Sequence, residues 1–162
     1  MAQVVSDVDR LRIWRRSGVV SRIVVPIAVG AIEIGGTLLA SRNQPEAEPI
    51  DALGLALLAA GPAALAVRDR YPGSVLVFAA ATKLAYWSLG YPGGPVFLAM
   101  IVALFGAVLH GRRLVAWLTL AFGYVGFLWV PFWAGSEPRP DLGAVLGLAA
   151  WLLVLGGAAE AV

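Results

Sequence analysis

Two ionisable residues stand inside long apolar runs, where a charge is costly and therefore informative. Glu33 lies in the run that ends at "GTLLAS", and Lys83 lies in "ATKLAYWSLGYPGGP". A carboxylate and an ammonium in such surroundings can pair with one another, be accommodated separately, or line a pocket that meets a ligand, a lipid headgroup or an ion. Other candidates for chemistry are few. His110 is the single histidine, and it has no carboxylate or second histidine at metal-ligand spacing. The chain has no cysteine, which removes disulfides, thiolate metal sites and cysteine nucleophiles. No phosphate-binding glycine loop with its lysine is present, and no serine sits in a nucleophile-elbow context. No enzymatic constellation assembles from these residues. The chain is accordingly read as non-enzymatic, with no catalytic residue, cofactor or metal ligand assigned.

The elements that must position Glu33 and Lys83 follow from composition. Of the 162 residues, 60% are hydrophobic and only 14% are charged, and the mean hydropathy is +0.83. A soluble domain is about half apolar and a quarter charged. The apolar excess falls in six blocks, at about 19–40, 50–67, 74–90, 95–110, 113–134 and 142–160. The connections "RDRYPG", "GYPGGP", "HGRR" and "GSEPRPD" are short and carry turn residues, which makes consecutive blocks antiparallel neighbours. Alternating strands of barrel length are absent, so helices are the form these blocks take in lipid. The expected fold class is an all-α integral membrane protein. It has a basic arm at 1–18 and a six-transmembrane-helix bundle at 19–162, multi-pass in the cell membrane.

Basic residues set the orientation. Arg10, Arg12, Arg15, Arg16, Arg22, Arg68, Arg70, Arg112 and Arg113 fall on the side that holds the N-terminus. The opposite side has Arg42 and Arg139 among Glu46, Glu48, Asp51, Glu137 and Asp141. The positive-inside rule then places both termini in the cytoplasm. The first block is read as an uncleaved span, because Leu38 occupies the position where a signal-peptidase site needs a small residue. In the arm, Arg12, Arg15 and Arg16 are candidate contacts to anionic lipid headgroups, worth about 1 kcal/mol per basic residue near the surface. The same arginines also serve simply as a topology signal. Pro95 suits a first helical turn. Trp87, Trp129 and Trp133 read as an outer aromatic belt, with Trp117 and Trp151 deeper in their spans. Gly143 and Gly147 form a G-x-x-x-G, and Gly30, Gly35 and Gly36 a small-residue face. Such faces permit close helix contact within the bundle or in a homodimer.

On this topology Glu33 precedes Ala40 by seven residues, and Lys83 precedes Gly90 by seven. At about 1.5 Å per residue, both stand roughly 10 Å beneath the outer boundary. Each charge alone costs about 2.5–3.5 kcal/mol near mid-membrane. A structural Glu33–Lys83 pair relieves both costs. The alternatives are a Lys83 that snorkels outward past Tyr86 beside a neutral Glu33, or a polar pocket open to the outer face.

The chain as a whole resembles the N-terminal membrane domain of actinobacterial two-component sensor histidine kinases. The resemblance rests on "LRIWRR", "VRDRYPGSVLVFAAAT", "LGYPGGPVFLAMIVALFGAV" with "HGRR", and the final "LGLAAWLLVLGGAAEAV". It implies a sensory input domain that passes a signal through its last helix to a cytoplasmic kinase core and response regulator. No phosphoaccepting histidine with an acidic neighbour and no ATP-binding motif is present, and His110 does not fit that role. No kinase residue is therefore carried over. The implied partners are the lipid bilayer, a second copy and a kinase core, with no nucleic acid and no cofactor. A small polytopic transporter, or an accessory or scaffold subunit, is the alternative, although no inverted repeat or mid-membrane polar cluster supports it.

Overall fold

The computed structural model describes residues 2–135 and 138–161, with side chains from Ser21 onward. The side chains of Arg12, Arg15 and Arg16 lie outside the described residues. The chain forms α1 (Ala2–Ser41), α2 (Ala52–Ala64) continued by a 3-10 turn (Leu65–Val67), α3 (Pro72–Ser88), α4 (Leu98–Leu109), α5 (Arg113–Ala134) and α6 (Leu142–Glu160). No strand occurs among the described residues. Three helical stretches are long and apolar enough to cross a membrane: Ser21–Ser41, Arg113–Ala134 and Leu142–Glu160. Ala52–Val67 and α4 are apolar but shorter. The arm and the first apolar block form one continuous helix, with no break near residue 18.

Local signals explain the helix ends. Asp51 caps α2 by accepting the Gly54 N–H at 2.8 Å, and Asp141 caps α6 by accepting the Ala144 N–H at 2.7 Å. Pro72 opens α3 at a position where a missing N–H costs nothing. α4 ends at Gly111 (φ 73°), where the Arg112 N–H reaches the Ala107 carbonyl and the Gly111 N–H reaches Val108. Those two bonds form a Schellman motif, whose left-handed residue favours glycine.

Consecutive helices pack against one another, and α4 lies at the centre, touching α1, α2, α3, α5 and α6. Its Ala99, Ala103 and Ala107 are almost fully buried, with Met100, Leu104 and Val108 beside them. Small residues at this spacing let five neighbours approach one short helix. At one end of the bundle, Arg22 pairs with Asp69 at 2.7 Å and Arg68 donates to Ser21 at 2.8 Å. The hydrogen bond and charge of Arg22 hold the Asp69 carboxyl below its usual range, aided by Arg68 and His110. At the other end, Gln44 donates to the Gly93 carbonyl at 2.9 Å and accepts its N–H at 2.8 Å. Many large apolar side chains, among them Ile27, Leu39, Phe122, Leu153 and Val154, project outward from the bundle.

One expectation needs correcting. Pro95 does not sit in the first turn of α4, which begins three residues later. Its ring is instead pressed onto Gly36 of α1, where a Cβ would stand 2.5 Å from Pro95 Cγ. Within the bundle, Gly156 is the close-contact glycine of α6, beneath the Trp117 ring of α5, while Gly147 meets nothing and Gly143 meets only Asp141.

The Pro95 contact predicts unequal effects at neighbouring glycines. Gly36→Ala should destabilise by about 1–3 kcal/mol through overpacking. Gly35→Ala, which enters open space, should stay within about 0.5 kcal/mol. Thermal melting in detergent reads the difference. Equal melting of the two variants would contradict the placement of Pro95.

Candidate functional site

Glu33 and Lys83 meet in the interior of the bundle. Lys83 Nζ donates to Glu33 Oε2 at 2.8 Å, and both side chains are fully buried. α1 and α3 do not pack directly against each other. The lysine therefore reaches across the space between them, flanked by α2 and α4.

Both flanking helices contribute backbone groups that their own sequences leave unsatisfied. Pro62 interrupts α2 and has no N–H, so the Leu58 carbonyl, four residues earlier, lacks its helical donor. Lys83 Nζ supplies a donor at 3.2 Å. Gly61 makes room for it, since a Cβ there would lie 3.3 Å from Lys83 Cε and 3.2 Å from the Ala99 methyl. α4 begins after Phe97, which offers no side-chain cap, and the first N–H groups of a helix have no internal partner. Glu33 Oε1 accepts the Ala99 N–H at 2.7 Å. A carboxylate from another helix thus caps α4 and meets the positive end of its dipole. Each carboxylate oxygen and two of the three ammonium donors are used, so the opposite charges meet inside a shared hydrogen-bond set.

A second layer encloses the node toward the 90–95 turn. Tyr86, fully buried, donates to the Pro92 carbonyl at 3.0 Å and stacks on Tyr91 with ring centroids 5.0 Å apart. Tyr91 in turn donates to Asp51 Oδ1 at 2.5 Å. That bond, joined by the Gly54 N–H, holds the Asp51 carboxyl below its usual range, and the same bond raises the Tyr91 hydroxyl. Tyr86 therefore closes the turn and gives Lys83 no route outward.

Neither Glu33 nor Lys83 lines any of the three cavities found among the described residues. No group of acidic or histidine side chains among those residues could hold a metal ion. His110 Nδ1 lies 2.7 Å from the Gly106 carbonyl at the exposed end of α4. Reasoning from sequence missed Leu58 and Ala99, although their signals were present: a proline four residues after the carbonyl, and a helix start without a capping side chain. Comparison with protein-family models, curated proteins and solved structures finds no match.

A double-mutant cycle tests the node. Lys83→Met leaves a buried carboxylate without its counter-charge and should cost about 3–5 kcal/mol. Glu33→Gln strands the ammonium and should cost a similar amount. The double variant should be more stable than the sum of the singles predicts, with a coupling of about 0.5–3 kcal/mol. Additive losses in detergent unfolding would mean that the two side chains do not act as a pair.

Proposed function

We propose that this chain is the membrane-embedded input domain of a two-component sensor histidine kinase. In this reading it crosses the membrane six times, with both termini in the cytoplasm, and passes its signal through α6 to a kinase core. The observation that carries the reading is the unequal way in which the helices are held. α1, α2, α3 and α4 are tied together through one buried ion pair and its two backbone bonds. α6 takes no part in that node and, among the described residues, packs only on α4 and α5. A quartet tied at one buried node, with a last helix outside it, has the mechanical form that signal output requires: a stimulus shifts populations only where two arrangements differ little in energy.

Further support comes from the ends of the helices. Arg22, Arg68, Asp69 and His110 gather at one end, the arginine-rich side that the positive-inside rule assigns to the cytoplasm. The closing residues of α6 meet the start of α5, where Arg113 lies 3.2 Å from Glu160 and the Trp117 indole donates to Glu160 at 3.2 Å. The short α4 would cross as an interior helix, with longer neighbours setting the thickness around it. The full burial of the Glu33–Lys83 pair, away from the cavities, counts against a transport path through it.

The chain has no cysteine, so single introduced cysteines report topology without background. Asn43→Cys and Pro138→Cys should react with an impermeant maleimide on intact cells, and Arg112→Cys only after permeabilisation. Labelling of Asn43→Cys and Arg112→Cys from the same side would overturn the six-span reading.

The sensory reading is tested by joining a histidine-kinase core in helical continuity with α6 and measuring autophosphorylation in liposomes. Gly156→Leu, which wedges α6 from Trp117, should change the rate by about fivefold or more. The outward-facing Leu146→Ala should leave it unchanged. A rate indifferent to Gly156→Leu would reject α6 as the output element.

A further inference from the structure

A groove of about 650 Å³ opens between α6 and the adjoining faces of α3, α4 and α5. Its walls are apolar and aromatic, formed by Trp87, Phe97, Met100, Phe127, Leu148 and Trp151. Its size lies within the range of about 300–1,000 Å³ that holds a small ligand. From Asp141 to Leu152 the groove follows α6 for about 16 Å. Polar groups occur at one end only, where Arg139 and Asp141 form the mouth. A narrow apolar slot with charge confined to its opening is complementary to an amphiphile.

The two charges at the mouth define the headgroup. Arg139 is exposed and has no ion-pair or hydrogen-bond partner among the described residues. A guanidinium fork matches two oxygens of a phosphate. Asp141 uses Oδ1 to cap α6, which leaves Oδ2 to accept from a ligand. One cation and one anion, two residues apart, complement a phosphate followed by an ammonium. A purely anionic headgroup would face the Asp141 carboxylate unfavourably. A quaternary ammonium would bring no N–H for it to accept.

We infer that this groove binds one phospholipid of the phosphoethanolamine class. One acyl chain lies along α6 among the rings, the phosphate meets Arg139, and the primary ammonium meets Asp141. The inference rests on the placement of residues 138–141 at the outer headgroup level, part of the proposed topology. It gives the input domain a ligand class. The site shares α4 with the ion-pair node, since Phe97 and Met100 flank Ala99, whose N–H caps onto Glu33. Occupancy would therefore bear on α6 directly and on the quartet through one turn of α4.

Native mass spectrometry tests this on the full chain, stripped of lipid in detergent. The protein is offered equal amounts of phosphatidylethanolamine and phosphatidylglycerol with the same acyl chains. One lipid per chain should be retained, with phosphatidylethanolamine preferred by about threefold or more. Asp141→Asn should remove the preference without uncapping α6, because asparagine caps as well as aspartate. Arg139→Gln should weaken retention of both lipids, and Leu148→Trp, which fills the groove, should abolish it. The exposed positions of Arg139 and Asp141 mean that the melting temperatures of Arg139→Gln and Asp141→Asn should match the wild type. Equal retention of the two lipids by the wild type, or retention unchanged by Arg139→Gln and Leu148→Trp, would overturn the inference. Retention is read with no kinase core attached. Failure of the lipid site and failure of α6 as output are therefore separate results.

Discussion

A carboxylate and an ammonium are removed from water together only where each finds a counter-charge and further hydrogen-bond partners, and that constraint organises this molecule. Desolvating either group costs several kcal/mol, which mutual attraction repays only when the surrounding hydrogen bonds are also complete. Glu33 and Lys83 meet the condition by recruiting the Leu58 carbonyl and the Ala99 N–H. The groups recruited are the ones that Pro62 and an uncapped α4 had left without partners. Three local defects, each unfavourable alone, thus satisfy one another. The result ties four helices at a single point, although the backbones of α1 and α3 do not pack against each other.

The small residues around the node serve the same constraint. Gly61 admits the lysine stem between α2 and α4, and Gly36 lets the Pro95 ring settle on α1. The turn that carries Pro95 is then held from several sides by Gln44, Tyr86 and the Tyr91–Asp51 bond. α5 and α6 lie beyond this arrangement and are joined to it by ordinary apolar packing. The groove with Arg139 at its mouth falls along that boundary.

Much of the architecture was legible in the sequence because hydropathy blocks and turn residues report helices and their connections directly. Arg113–Ala134 and Leu142–Glu160 fall where apolar length and flanking glycine or aspartate place them. The approach of Glu33 to Lys83 was legible from a depth count, since antiparallel alternation puts both at the same level. What did not show was which backbone groups complete the pair. That information depends on the rotation of α2 and α4 about their axes, and apolar blocks this uniform carry no periodicity to reveal it. The same uniformity hid Gly156, the glycine of α6 that meets Trp117. The groove was invisible for a related reason, because four helices each lend it one or more side chains from positions remote in sequence.

The central claim is that the buried pair exists as a direct contact in lipid. Solid-state NMR of the chain in bilayers, with labels on the Glu33 carboxyl carbon and the Lys83 side-chain nitrogen, measures it directly. An N–O contact of 2.8 Å predicts a strong carbon–nitrogen dipolar coupling, lost in Lys83→Met. Absence of that coupling in the wild-type chain would contradict the account at its foundation.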